Sequence, residues 1–157
     1  MFVFIRAITY ATLFIGLVLV FLPAQLLSPA LARPAAIGVP QVLGMVVAVG
    51  GGAIALWCIL SFALVGRGTP APFDPPRRLV VSGPYAQVRN PMYIGAGLAL
   101  GGAALFYGSS ALLGYAAAFL LVTHLFVVLY EEPTLRRSFG SEYEAYCRQV
   151  RRWWPRR

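Results

Sequence analysis

The sequence contains no lysine: all 13 of its basic residues are arginine, and only five residues are acidic. Charged residues make up 11% of the 157 residues, whereas about 25% is usual in soluble proteins. This scarcity of charge excludes a disordered chain, which needs high charge and low hydrophobicity. Two cysteines cannot form a disulfide scaffold, and a single histidine argues against a metal centre. The length fits a single domain.

Long uncharged runs dominate what is present, and 59% of the residues are apolar, against about 45–50% in soluble domains. The hydrocarbon core of a bilayer needs about 20 apolar residues as a helix. We expect transmembrane helices at residues 7–22, 39–65, 91–107 and 111–130. Pro23 ends the first run, Pro40 suits the first turn of the second, and Gly108-Ser109-Ser110 forms the turn between the last two. The composition therefore predicts an all-α integral membrane protein with about four transmembrane helices and cytoplasmic C-terminal helices, all in one membrane domain.

The arginines indicate the orientation of these spans. They cluster in residues 67–89 and 136–157, beside the apolar runs, as in the cytoplasmic loops of membrane proteins. Four spans then place both termini in the cytoplasm; Arg6 agrees with this orientation, and Arg33 is the exception. No basic stripe with interleaved aromatics lies elsewhere, so we expect contact with anionic lipids and no nucleic acid. The Arg- and Ala-rich composition favours a bacterial inner membrane.

Both ends of the sequence carry membrane-related features. Arg6, an apolar stretch and Ala30-Leu31-Ala32 resemble a secretory signal, but the apolar run is longer than a typical signal core, which favours a span. Trp153 and Trp154, next to the last arginines, are typical of an interfacial anchor.

The segments outside the spans contain recognisable helix signals. Residues 67–90 are rich in Pro and Gly and predict an ordered loop or a re-entrant segment. Beyond the fourth span we expect a helix that is kinked or restarted at Pro133 and ends at Gly140. Ser141-x-x-Glu144 predicts a capping box that opens a last helix to about Val150. The apolar face of these helices is expected against the membrane and comprises Leu135, Phe139, Tyr143, Tyr146 and Val150.

Polar residues converge on one end of the last hairpin. Asn90 is placed to cap the third span, and Arg89 precedes it, so this helix start should attract a carboxylate or a phosphate. Glu131 and Glu132 close the fourth span at the same membrane face, near Arg89, Asn90 and Tyr93. Because neighbouring helical residues point about 100° apart, we expect one glutamate to pair with an arginine. A helix cap with an interfacial Arg–Glu pair is the alternative interpretation.

Small residues and one histidine complete the candidate set. Gly97-x-x-x-Gly101 predicts close helix packing, although bare backbone at Gly95 and Gly97 also suits a cofactor. His124 lies seven residues before Glu131, on the same face of a regular helix, and either bonds a neighbouring helix or lines the site. We expect Cys58 to be a packing residue and Cys147 a reduced thiol.

A spaced set of residues carries a family resemblance. The first half reads Ser82-Gly83-Pro84-Tyr85-x-x-x-Arg89-Asn90-Pro91-x-Tyr93-x-Gly95. After the hairpin come Glu131-Glu132-x-x-Leu135, Phe139-Gly140-x-x-Tyr143-x-x-Tyr146 and Trp153-Trp154-Pro155. The set covers about half of the chain and resembles the isoprenylcysteine carboxyl methyltransferases and their relatives, the membrane phospholipid N-methyltransferases.

The resemblance implies a membrane methyltransferase that uses S-adenosylmethionine and takes a lipophilic substrate from the bilayer. It implies a cofactor pocket lined by Arg89, Asn90, Tyr93, Gly95, Gly97, Glu131 and Glu132, to which we add His124. Catalytic roles are expected for Arg89 and Glu131. Asn90 stands where the family often has histidine, so this position cannot titrate, although it can still form hydrogen bonds.

Several functions stay open at this point. The methyl acceptor is either the carboxylate of a prenylated cysteine or a similar group, or a phospholipid amine. A reductase of the sterol-reductase type has a similar Arg-His-Pro-x-Tyr element, but NADPH would need several basic groups for its phosphates. A non-enzymatic membrane scaffold predicts no cofactor pocket. The oligomeric state cannot be inferred from these residues.

Overall fold

The computed structural model describes residue 9 and residues 12–27, 37–66 and 78–155. All regular secondary structure within these residues is helical, and an isolated bridge joins Val88 to Arg151. The helices are α1 Thr12–Gln25, α2 Val39–Gly66, α3 Pro91–Tyr107, α4 Ser110–Phe126, α5 Glu132–Phe139 and α6 Ser141–Gln149. Residues Gly83–Ala86 form a short 3₁₀ turn, and π-helical turns occur at Ile15–Phe21, Phe62–Gly66 and Val127–Glu131.

In the described part of the chain, two helices are long and apolar enough to cross a bilayer. They are Val39–Gly66, which is α2, and Ser110–Phe139, in which α4 continues through the π turn into α5. Thr12–Gln25 and Pro91–Tyr107 are apolar but shorter. The all-helical architecture is confirmed, while the number of spans and the side on which the loops lie stay predictions.

Most helix ends lie where the sequence predicts them. Helix α3 has the predicted bounds. The turn before α4 contains Gly108, with φ of 59°, and Ser109. The Ser109 hydroxyl accepts a hydrogen bond from the Leu112 amide at 3.3 Å. The prediction for α1 is wrong, because the helix continues past Pro23 to Gln25. Pro23 occupies the first turn of a new α-helical segment after the π turns, where a missing N–H is tolerated.

Some predictions concern residues outside the described part of the chain. They are the signal-like Ala30-Leu31-Ala32 and the orientation assigned from Arg6, Arg33, Arg67 and Arg77.

Helices α2 and α3 cross at very short distance through glycines. A methyl group on Gly95 would lie 2.7 Å from the carbonyl oxygen of Gly51, and one on Gly44 would lie 2.6 Å from the amide nitrogen of Phe106. Because no side chain fits there, these glycines set the distance between the two backbones. The close packing predicted for Gly97-x-x-x-Gly101 is confirmed at Gly97, where a methyl group would lie 2.6 Å from the Leu120 side chain of α4. It is not confirmed at Gly101, where a methyl group would meet none of the described residues within 4 Å.

The C-terminal helices fold over the end of the hairpin. Gly140, with φ of 50°, ends α5 and donates its amide to the Arg136 carbonyl at 2.9 Å. The predicted capping box is not formed, because Gly140 takes the N-cap position and Ser141 is already helical. The predicted apolar face is directed into the protein rather than toward the membrane: Tyr143, Tyr146 and Val150 are buried against Leu79, Leu135 and Phe139.

Candidate functional site

The start of α3 is fastened to the residues that follow α6. The Arg89 amide donates to the Arg151 carbonyl at 2.9 Å, beside the Val88–Arg151 bridge. Asn90 stands at the N-cap position, but its side chain makes no capping bond and its Nδ2 donates to the Arg152 carbonyl at 3.3 Å. The expected capping bond is therefore wrong, because the C-terminal segment engages this amide instead.

Glu132 is the centre of an ion-pair cluster. Its Oε1 and Oε2 accept hydrogen bonds from Nε and Nη2 of Arg152 at 2.7 and 2.9 Å, a two-point contact. Arg89 Nη1 lies 3.3 Å from the same Oε1. Glu132 is only 6% exposed, so its charge requires such partners. The hydrogen bond to Glu132 in turn raises the pKa of Arg152. The prediction that one glutamate pairs with an arginine is confirmed.

Glu131 has a different environment from its neighbour. Its Oε2 accepts a hydrogen bond from the buried Tyr93 hydroxyl at 3.0 Å. Within the described residues, no arginine forms an ion pair with Glu131. Adjacent helical residues point in different directions, and the two carboxylates accordingly have different partners. Glu131 is the one whose charge no arginine neutralises among the described residues.

His124 is bound to the C-terminal segment. Its Nδ1 accepts a hydrogen bond from Trp153 Nε1 at 3.1 Å, and the two ring centroids are 5.8 Å apart. Trp153 is half-buried and packs against the core, whereas Trp154 is 72% exposed. The role of the two tryptophans as an interfacial anchor stays a prediction. His124 and Glu131 do not share a partner, because the π turn between them interrupts the regular helical periodicity.

Arg89 is held on several sides but keeps one unused donor. Its Nη1 donates to the Cys147 thiol at 2.6 Å and approaches Glu132. Its Nε is buried and has no hydrogen-bond partner among the described residues. Burial raises the pKa of the neighbouring Tyr143, so its hydroxyl stays protonated at neutral pH. A buried donor without a partner costs free energy, and an acceptor supplied by a ligand would satisfy it.

A comparison with protein families identifies the class of this chain. The sequence model of the family described as phospholipid methyltransferase matches residues 39–142, about two thirds of the chain. The chain belongs to the phospholipid methyltransferase family. It is thus a membrane methyltransferase that acts on a lipid-type substrate. No curated protein and no solved structure gives a significant match.

The phospholipid methyltransferase match contains all the residues predicted for the site, and the structure divides them into two groups. Arg89, Asn90, Tyr93, Glu131, Glu132 and His124 meet around the start of α3 and the C-terminal segment. Gly95 and Gly97 are instead covered by α2 and by the Leu120 side chain. The assignment of these two glycines to a cofactor pocket stays a prediction.

Two residues that sequence analysis did not single out for this phospholipid methyltransferase site are Arg152 and Cys147. Both reach the site from positions far along the chain, so local patterns give no signal for them.

A cavity of about 580 Å³ also adjoins Glu132. It is lined by Val128, Glu132, Pro133, Arg136 and Arg137. Within the described residues, no cluster of His, Cys, Asp and Glu could hold a metal ion.

Proposed function

We propose that the protein is a methyltransferase that uses S-adenosylmethionine and methylates a lipophilic acceptor from the bilayer. The observation that carries this proposal is the hydrogen bond from Tyr93 to Glu131. The neighbouring Glu132 lies 3.3 Å from Arg89, whose Nε has no partner among the described residues. The family match supports methyl transfer over the reductase and scaffold alternatives.

The residues present fit the amino-acid end of this cofactor, which carries one carboxylate and one ammonium group. Arg89 Nε and the free amides at the start of α3 suit the carboxylate. Glu131 suits the ammonium group or the ribose hydroxyls. S-adenosylmethionine supplies a methyl group that is already activated by its sulfonium centre.

The remaining polar residues hold these two groups in place. Glu132 is saturated by Arg152 and Arg89, so its proposed role is to fix the Arg89 guanidinium. Tyr93 fixes the Glu131 carboxylate through its hydroxyl. Alignment of the acceptor with the methyl group, away from water, supplies most of the acceleration in a displacement of this kind.

The family match favours a phospholipid amine as the acceptor. An amine must lose a proton when it is methylated, and Glu131 is the carboxylate with capacity to accept it. The carboxylate of a prenylated cysteine is the second candidate, because Arg89 could orient an acidic acceptor and such an acceptor needs no general base.

The test is transfer of a radiolabelled methyl group to bacterial lipid extract by the purified protein. We expect the label in the phospholipid fraction, and base should not release it as methanol, because an N-methyl group is not hydrolysed. A methyl ester on a carboxylate would instead release labelled methanol in base. Glu131→Gln should weaken cofactor binding about ten- to hundredfold, the value of a charge-assisted hydrogen bond. Glu142→Gln, an exposed glutamate of α6, is the matched control and should behave as the wild type. Equal activity of both variants would contradict the proposed role of Glu131.

A further inference from the structure

We propose that the cavity beside Glu132 binds the phosphate of a membrane phospholipid, and that Arg136 and Arg137 are its ligands. The inference rests on the proposed function, because it gives the acceptor a head-group site next to the carboxylates. It adds a second set of residues to the site, since neither arginine belongs to the cofactor set described above.

The charges around this cavity are not balanced. Glu132 is the one acidic residue in its wall, and Arg89 and Arg152 already neutralise that carboxylate. Within the described residues, no acidic side chain forms an ion pair with Arg136 or Arg137. The Arg137 Nε donates to the Pro133 carbonyl at 3.3 Å, which orients the side chain and leaves its two terminal nitrogens available. A cavity with surplus positive charge favours an anionic ligand.

The size and donor set of the cavity indicate the kind of anion. Guanidinium groups form two-point hydrogen bonds with phosphate oxygens, and two adjacent arginines offer several donors. The cavity has a volume of about 580 Å³, far larger than a lone phosphate ion needs, and it is open to the outside rather than enclosed. The geometry therefore fits a phosphate that is part of a larger head group.

The position of the cavity points to a lipid as the source of this phosphate. Val128 lines the same wall and belongs to Ser110–Phe139, a helix long and apolar enough to span a bilayer. The arginines follow two turns later on that helix, where its sequence becomes polar. The cavity thus joins an apolar surface to a cationic one, as a phospholipid with its acyl chains beside the helix requires. The head group would then lie against Glu132.

The experiment is native mass spectrometry of the detergent-purified protein, which needs neither cofactor nor turnover. The probes are phosphatidylethanolamine, diacylglycerol, which lacks the phosphate, and glycerophosphoethanolamine, which lacks the acyl chains. The wild type should retain phosphatidylethanolamine far better than either of the others. The double variant R136Q/R137Q should lose about 100-fold in affinity, or about tenfold for each arginine. R136K/R137K should recover part of it, and Arg148→Gln, an exposed arginine of α6, should change nothing.

Each outcome decides between the alternatives. Equal retention of phosphatidylethanolamine and diacylglycerol, or unchanged retention by folded R136Q/R137Q, would overturn the phosphate site. Binding of glycerophosphoethanolamine as tight as that of the lipid would overturn the lipid as the source. Methyl transfer then tests the acceptor role: R136Q/R137Q should raise KM for phosphatidylethanolamine and leave cofactor affinity unchanged. Tight, arginine-dependent lipid binding without any methyl transfer would leave the phosphate site standing and would overturn the proposed function.

Discussion

Replacement of Arg152 by alanine should loosen the C-terminal segment from the site. Arg152 makes two hydrogen bonds to the buried Glu132 carboxylate, at 2.7 and 2.9 Å. Its backbone carbonyl also accepts a hydrogen bond from Asn90, which alanine would keep. The substitution thus removes the ion pair without removing the backbone contact.

The expected loss of stability depends on how deeply the Arg152–Glu132 ion pair is buried and on Arg89, the partner that Glu132 keeps. Loss of one member of a fully buried ion pair costs about 3–5 kcal/mol. Here 32% of the Arg152 side chain is exposed, and Arg89 stays 3.3 Å from Glu132, so we expect about 2–3 kcal/mol. For a protein of this size, each kcal/mol lowers the melting temperature by about 2–4 °C. The expected decrease is therefore about 4–12 °C.

The assay is thermal unfolding in detergent, followed by intrinsic tryptophan fluorescence, since Trp153 lies in the same segment. Arg151→Ala is the matched control, because its exposed side chain is removed while its bonded carbonyl stays. It should change stability by less than about 0.5 kcal/mol. Arg152→Ala combined with Glu132→Gln should cost less than the sum of the two single variants. Equal melting temperatures for Arg152→Ala and Arg151→Ala would refute the reasoning.

Two further substitutions test the packing around the site. Gly95→Ala should lower the melting temperature, because its methyl group would meet the α2 backbone and overpacking costs about 1–3 kcal/mol. Gly101→Ala should leave the melting temperature unchanged, because its methyl group would meet none of the described residues within 4 Å. Trp153→Phe removes the hydrogen bond to His124 and should lower the free energy of unfolding by about 0.5–1.5 kcal/mol. Trp154→Phe, at an exposed position, should leave the unfolding curve unchanged, and similar curves for both variants would contradict the assigned contact.

The helix boundaries were largely predictable because local signals fix them. Pro91 favours the first turn of a helix, and Gly108 adopts a left-handed conformation that ends one, so the α3–α4 hairpin follows from the sequence. The separation of the two glutamates was also predictable, because adjacent helical residues point in different directions. These features depend on near neighbours along the chain.

The contacts made by the C-terminal segment were not predictable. Arg152 binds Glu132 and Trp153 binds His124, across 20 and 29 residues of sequence. Nothing local distinguishes Arg152 from the arginines around it. The π turn at Val127–Glu131 had no recognised signal in the sequence either. Long-range packing therefore set the part of the site that the sequence pattern left open.

The glycines show a similar limit. Several small residues in α3 indicate close packing, but which of them meets α2 depends on how the two helices cross. Gly95 lies at the crossing, whereas Gly101 faces away from it. The spacing of Gly97 and Gly101 identified one packed glycine and one that is not, because spacing carries no information about which neighbour each side of the helix meets.

Calorimetric titration of the detergent-purified protein with S-adenosylmethionine tests the central claim most directly. S-adenosylhomocysteine and NADPH are titrated alongside, and Glu131→Gln serves as the variant. We predict saturable binding of both adenosyl compounds, no binding of NADPH, and about ten- to hundredfold weaker binding by Glu131→Gln. Binding of NADPH alone, or of none of the three by folded protein, would contradict an S-adenosylmethionine site built on Arg89 and Glu131.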